Sequence, residues 1–129
     1  LEAIEDVYKM PFPIKRAFEI DVKRISKEMG KDICLLLTEI FINTIKYAFP
    51  DHDSPSLKIK FFRKFEELHL HIHDNGPGLP SGFDINKTTS VGMCLVQSFI
   101  QKHKGRYNMI NENGLRYEIR IPEHKYEYS

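Results

Sequence analysis

Leu35 to Phe49, LLLTEIFINTIKYAF, is the stretch on which the reading of the fold turns. Its apolar residues run almost the whole way round a helix, so the segment reads as a largely buried helix. One narrow stripe of it is polar. At about 100° per residue, Glu39, Asn43 and Lys46 fall within roughly 60° of one another. A carboxylate, an amide and an ammonium along a buried helix are costly unless something pairs with them. Two readings are open at this point. Glu39 and Asn43 stand at i, i+4 and Asn43 and Lys46 at i, i+3, so the stripe can satisfy itself. Alternatively it faces a charged ligand, Asn43 offering an oxygen to a hard cation and Lys46 a positive charge to phosphate.

Working outward, Asp32 can cap this helix, which is expected to begin near Ile33, and Pro50 stops it ahead of a loop from Asp51 to Pro55. Before it, Lys23 to Gly30 is polar and reads as a turn ended by Gly30. Ala17 to Val22 alternates, with Phe18, Ile20 and Val22 on one side, as a half-buried strand does. Pro11 and Pro13 break the pattern upstream, and residues 1–16 are expected to be a linker from a preceding domain. A start at Leu1 rather than Met suggests a piece excised from something longer.

Downstream, Leu57 to Phe62 and Leu68 to His73 alternate as a hairpin joined by Arg63 to Glu67. Leu70 and Ile72 face inward there, and His69, His71 and His73 share the other face. A solvent-facing stripe explains that histidine spacing without a metal, since no cysteine or carboxylate set completes a tetrahedron. Val91 to Lys102 reads as a second helix, with Ser90 as its cap and Leu95, Val96, Phe99 and Ile100 as its apolar face. Arg106 to Ile110 and Leu115 to Ile121 form a last hairpin, with Leu115, Tyr117, Ile119 and Ile121 pointing in. The expected fold class is α+β, a two-layer α/β sandwich in which a mixed, mostly antiparallel sheet carries its helices on one face. The domain is expected to span residues 17–122, followed by a polar tail over 123–129.

The whole chain agrees with a single domain. Its 129 residues are 41% hydrophobic and 29% charged, with a formal net charge of +1, which speaks against wholesale nucleic-acid or membrane-surface binding. No apolar run approaches the roughly 20 residues that span a bilayer. Cys34 and Cys94 match no metal or redox spacing and read as free core thiols in a reducing cytoplasm.

Two glycine segments carry the chemistry. Asn-Gly and Pro-Gly in DNGPG, Asp74 to Gly78, are ordinary turn formers, but turn formation leaves Asp74 unexplained at the inner end of a strand. A carboxylate there can accept from an exocyclic amine, and Gly76 and Gly78 let backbone approach a flat ring. Ser90-Val91-Gly92 opens a helix whose free N–H groups suit a phosphate chain.

Taken in order, E-x-x-x-N-x-x-K-Y (Glu39, Asn43, Lys46, Tyr47), DNGPG, and S-x-G-x-x-L-V (Ser90, Gly92, Leu95, Val96) resemble the GHKL ATP-binding superfamily. Its members include DNA gyrase, a heat-shock chaperone, histidine kinases and the mismatch-repair protein MutL. The likeness runs from about Phe18 to Pro122. Within the superfamily, DNGPGLPSGF leading quickly to TTSVGMCLV, and the phrase IKYAFPD, are similar to the catalytic domain of bacterial sensor histidine kinases with a short ATP lid.

The resemblance implies ATP and Mg²⁺ as cofactors and a role for each matching residue. Asn43 would coordinate Mg²⁺, Glu39 would polarise the phosphoacceptor imidazole or a water, and Lys46 would meet phosphate. Tyr47 would lie near the adenine or ribose, and Asp74 would accept from the adenine amino group on a wall shaped by Gly76, Gly78 and Leu79. Val91, Gly92 and the N–H groups beside them would hold phosphate, with Lys87, Thr88, Thr89 and Ser90 contributing from the lid. One departure stands out. Such domains usually enter the last strand with Gly-Thr, whose hydroxyl assists the aspartate, and here the pair is Gly114-Leu115.

The function implied is transfer of the ATP γ-phosphate to a histidine on a helix upstream of this chain, with a response regulator as indirect partner. No nucleic-acid or direct membrane contact is expected. The setting is cytoplasmic, either free or as the inner part of a membrane-bound sensor. An anti-sigma-factor-type serine kinase and a non-catalytic pseudokinase module are the alternatives on the same fold.

Overall fold

The computed structural model describes residues 14–48, 54–78 and 91–123. Five strands form one sheet: β1 (Lys15–Asp21), β2 (Ser56–Lys64), β3 (Glu67–Asp74), β4 (Arg106–Asn111) and β5 (Leu115–Pro122). Their spatial order is β1-β2-β3-β5-β4, with β1 parallel to β2 and every other pair antiparallel. Two α-helices, α1 (Lys27–Asn43), continued by a π-helical turn at Thr44–Ala48, and α2 (Val91–Lys102), complete the described elements. The α+β sandwich with a mixed sheet is therefore the observed architecture.

Alternation places the core. On β3, Leu68, Leu70, Ile72 and Asp74 are buried in turn, and on β5 Leu115, Tyr117, Ile119 and Ile121 are, so one sheet face is dry. Met29, Ile33, Leu36, Ile40 and Phe41 of α1, with Val96 and Phe99 of α2, close the core from the helix side. His69, His71 and His73 stand half-buried on the opposite face, where Phe62 stacks on His69 at 4.9 Å. Burial pushes His71 below the usual imidazole range, with His69, Arg116 and Lys60 adding to it against Glu118. Among the described residues, no three His, Cys, Asp or Glu side chains gather as a metal site.

Three local expectations change. Helix α1 starts at Lys27, not Ile33, because the Ser26 hydroxyl accepts from the Met29 N–H at 3.1 Å and caps it. Gly30 then lies inside the helix. Asp32 is no cap: its Oδ2 binds Lys102 Nζ at 2.8 Å and His103 Nε2 at 2.7 Å, tying α1 to the end of α2. Strand β1 is an edge, and Phe18 and Ile20 remain 48% and 65% exposed beside a cleft they share with Leu37 and Phe41. Finally, Cys34 and Cys94 are exposed, not core thiols, because each lies on the outer side of its helix.

Candidate functional site

Chain direction brings the singled-out residues to one end. Asp32, in the second turn of α1, meets Lys102 and His103 at the end of α2, so the two helices run antiparallel. From Asp32 to Asn43 and from Lys102 back to Val91 are equal spans of about 16 Å. The end of α1 and the start of α2 therefore stand level. They do so at the Asp74 end of the sheet, since Gly105, just past α2, packs against Ile121, and Ile121 pairs with Leu68 at the opposite end of β3.

At that end α1 stops being regular. Thr44 to Ala48 forms a π-helical turn, and the Thr44 hydroxyl donates back to the Ile40 carbonyl at 2.8 Å. Such back-bonding bends helices, and π turns recur at functional sites. Widening the turn moves Lys46 off the even 100° spacing that put it in line with Asn43. Glu39 and Asn43 are half-buried, whereas Lys46 is exposed. Asn43 and Lys46 each interact with other groups, but Glu39 has no hydrogen bond or ion pair among the described residues. The Glu39–Asn43 pairing is thus absent, and a half-buried carboxylate is left open one turn from an amide.

Asp74 closes β3 on the dry face at 4% exposure. Its Oδ1 accepts from the Gly76 N–H at 2.8 Å and the Leu115 N–H at 3.1 Å. The first bond is an Asx turn, which is why Asn-Gly follows the strand. The second crosses to β5. Its Oδ2 has no hydrogen-bond partner among the described residues, which leaves one acceptor of an otherwise fixed carboxylate available. Asn75 pins the same turn to β2, accepting from the Ser56 N–H and donating to the Ser54 carbonyl, both at 2.8 Å.

Glycines allow the close packing here. A Cβ on Gly114, at φ +122°, would sit 1.9 Å from the Asp74 carbonyl oxygen, and one on Gly78, at φ +80°, 2.6 Å from the Asn111 side chain. The DNGPG turn is thereby pressed against the β4–β5 turn. Tyr117, two residues past Leu115, is 4% exposed, and burial together with the Asp74 charge pushes its hydroxyl up to about 12.

The structure thus gathers Glu39, Asn43, Asp74, Gly76 and Gly78 with the start of α2, where Val91 and Gly92 open the helix. Leu79, Lys87, Thr88, Thr89 and Ser90 lie outside the described residues, as do the side chains of Tyr47 and Val91. Sequence reasoning missed the Leu115 N–H. It noted only the hydroxyl that Leu115 lacks, yet the main chain supplies Asp74 with a donor whatever the side chain is. Only the strand register, which sets His73 opposite Arg116 and so brings Leu115 level with Asp74, could have revealed it, because a backbone donor leaves no mark on residue identity.

The fold has counterparts among known proteins. Residues 28–125 match the family described as histidine kinase-, DNA gyrase B-, and HSP90-like ATPase. The sensor histidine kinase PdtaS of Mycobacterium tuberculosis is 28% identical over 126 residues, covering 95% of this chain and 25% of that protein. The chain thus spans about a quarter of the length of this relative. Among solved structures, the histidine kinase domain of the Erythrobacter litoralis EL346 blue-light activated histidine kinase superposes with a TM-score of 0.81 at 24% identity, over 94% of this chain and 56% of that one. The Acinetobacter baumannii histidine kinase AdeS gives 0.75 at 22% identity, over 96% of this chain and 59% of that one. A family match across three quarters of the chain, on a fold that these structures share, makes this protein a member of the histidine kinase-, DNA gyrase B- and HSP90-like ATPases.

Proposed function

We propose that this chain is the ATP-binding catalytic domain of a sensor histidine kinase, passing the γ-phosphate of ATP to a histidine outside the chain and onward to a response regulator. The observation that carries this reading is Asp74: a buried carboxylate fixed through one oxygen by two main-chain N–H groups, with the other oxygen open. That is the arrangement needed to accept from the amino group of a purine. Gly78 and Gly114 let the DNGPG turn and the β4–β5 turn press together, which fixes the strand end that carries Asp74.

The remaining roles rest on residue chemistry and on the resemblance of the motifs to the family. Asn43 and the open Glu39 carboxylate are oxygen donors suited to a hard cation such as Mg²⁺ and to orienting the acceptor imidazole or a water. When bound, Mg²⁺ neutralises charge on the phosphates. Lys46 and the N–H groups opening α2, at Val91 and Gly92, answer the phosphate chain, with Lys87, Thr88, Thr89 and Ser90 supplying further charge and donors. Tyr47 and Leu79 flank the nucleoside. A cytoplasmic setting belongs to the same reading. Among the described residues no helix is long and apolar enough to cross a membrane.

Titrating the protein with a fluorescent ATP analogue and Mg²⁺ tests this. Saturable binding is expected, weakened at least tenfold in Asn43→Ala and in Asp74→Ala, as loss of a hydrogen bond to a charged group costs about 1.5–3 kcal/mol. Absence of binding at millimolar nucleotide would overturn the reading.

A further inference from the structure

The geometry points to Tyr117 as a second purine-reading residue, its hydroxyl donating to the ring nitrogen adjacent to the amine that Asp74 accepts from. This rests on the ATP-binding reading above and extends it to a residue of the core strand. Three observations support it. Tyr117 is more than nine-tenths buried as a residue, but its hydroxyl, which has no hydrogen-bond partner among the described residues, is not one of the side-chain atoms sealed away without one. Its place in the register is the second: β3 and β5 pair with Ile72 opposite Tyr117, so Asp74 is the diagonal neighbour on the same dry face. Diagonal neighbours stand about 7–8 Å apart, within reach of an aromatic side chain. The Asp74 carboxylate is in fact close enough for its charge to act on the Tyr117 hydroxyl.

The third is chemical match. A 6-aminopurine presents, side by side, an amine that donates and a ring nitrogen that only accepts. Asp74 offers an acceptor with no proton to give. Tyr117 offers a hydroxyl that keeps its proton throughout the working pH range, since burial raises it to about 12. Acceptor beside donor is complementary to that edge. A 6-oxopurine presents the reverse, an oxygen against the carboxylate, and is rejected.

The test compares ATP with 1-deazaadenosine triphosphate, in which the ring nitrogen is replaced by carbon, on the wild-type chain and on Tyr117→Phe. Wild type is expected to bind ATP about three- to tenfold more tightly than the deaza analogue, the worth of one neutral hydrogen bond. Tyr117→Phe should weaken ATP by the same factor, leave the analogue unchanged, and so erase the preference. Wild type binding ATP with Tyr117→Phe keeping the full preference would overturn the role of Tyr117 while the ATP reading stands. An equal loss for both nucleotides would also overturn it, in favour of a packing role. Failure of wild type to bind either nucleotide would overturn the ATP reading and the inference together.

Discussion

Two glycines show how the same residue type answers to different physics. Gly114 sits at φ +122°, and an added Cβ would lie 1.9 Å from the Asp74 carbonyl oxygen. That contact is with backbone, so nothing can rotate away. Gly114→Ala is expected to cost about 3 kcal/mol or more, from strained φ and from displacement of the turn holding Asp74. Gly30 is the opposite case. It lies within α1, where a Cβ would meet only Ile25 Cγ2 at 3.7 Å, an ordinary contact. Gly30→Ala should therefore stabilise the protein by roughly 0.5–1 kcal/mol, through helix propensity and a less free unfolded chain. Urea unfolding of both variants checks the pair, and a Gly114→Ala protein as stable as wild type would contradict the packing described for the two turns.

At the scale of elements, the Asp32 clasp sets how α1 and α2 lie against each other. The hydrogen bond from Lys102 holds the Asp32 carboxyl below its ordinary value of 3.8, against partial desolvation and with help from His103. A carboxylate with a depressed folded value contributes stability that is fully present above the unfolded value and is lost as pH falls through the folded one. Asp32→Asn should therefore lower the urea midpoint near neutral pH, and the gap from wild type should close as pH falls below the ordinary carboxylate range. A gap independent of pH would mean that Asp32 acts by packing alone. This clasp was illegible in the sequence, which offered Asp32 only as a cap. Its partners lie seventy residues on, and the true cap, Ser26, was masked by a glycine that usually ends helices. Strands β2 to β5 and helix α2 were legible because alternation and helical spacing are local consequences of burial. The exposure of β1 was not, since a strand with the right period does not say whether anything covers it. Asp74, Asn43 and the glycines were readable as residue types with a chemistry. The Leu115 N–H and the widened turn after Asn43 are backbone events and were not.

Considered whole, the molecule is polarised along its strands. The Asp74 end holds the proposed nucleotide pocket. The other end is shut by Arg63, whose Nε meets Glu123 at 2.6 Å and whose Nη2 donates to the Arg24 carbonyl at 2.6 Å, while Glu123 is 5% exposed at its side chain. Six residue steps along β2 lead from Leu57, opposite Asp74, to Arg63, or about 20 Å. Sites so far apart without shared partners contribute additively. Arg63→Ala should cost about 2 kcal/mol, since it strands a buried carboxylate, and should lower the thermal midpoint by several degrees. At a hundredfold excess over its dissociation constant, Mg²⁺-ATP adds about 2.7 kcal/mol to a protein that binds it only when folded, a rise on the order of 10 °C here. That rise should be as large in Arg63→Ala as in wild type and cut to about half or less in Asp74→Ala. A variant at the closed end that also lost the nucleotide-induced rise would show the two ends to be coupled, and the sheet could no longer be treated as a rigid strut between them.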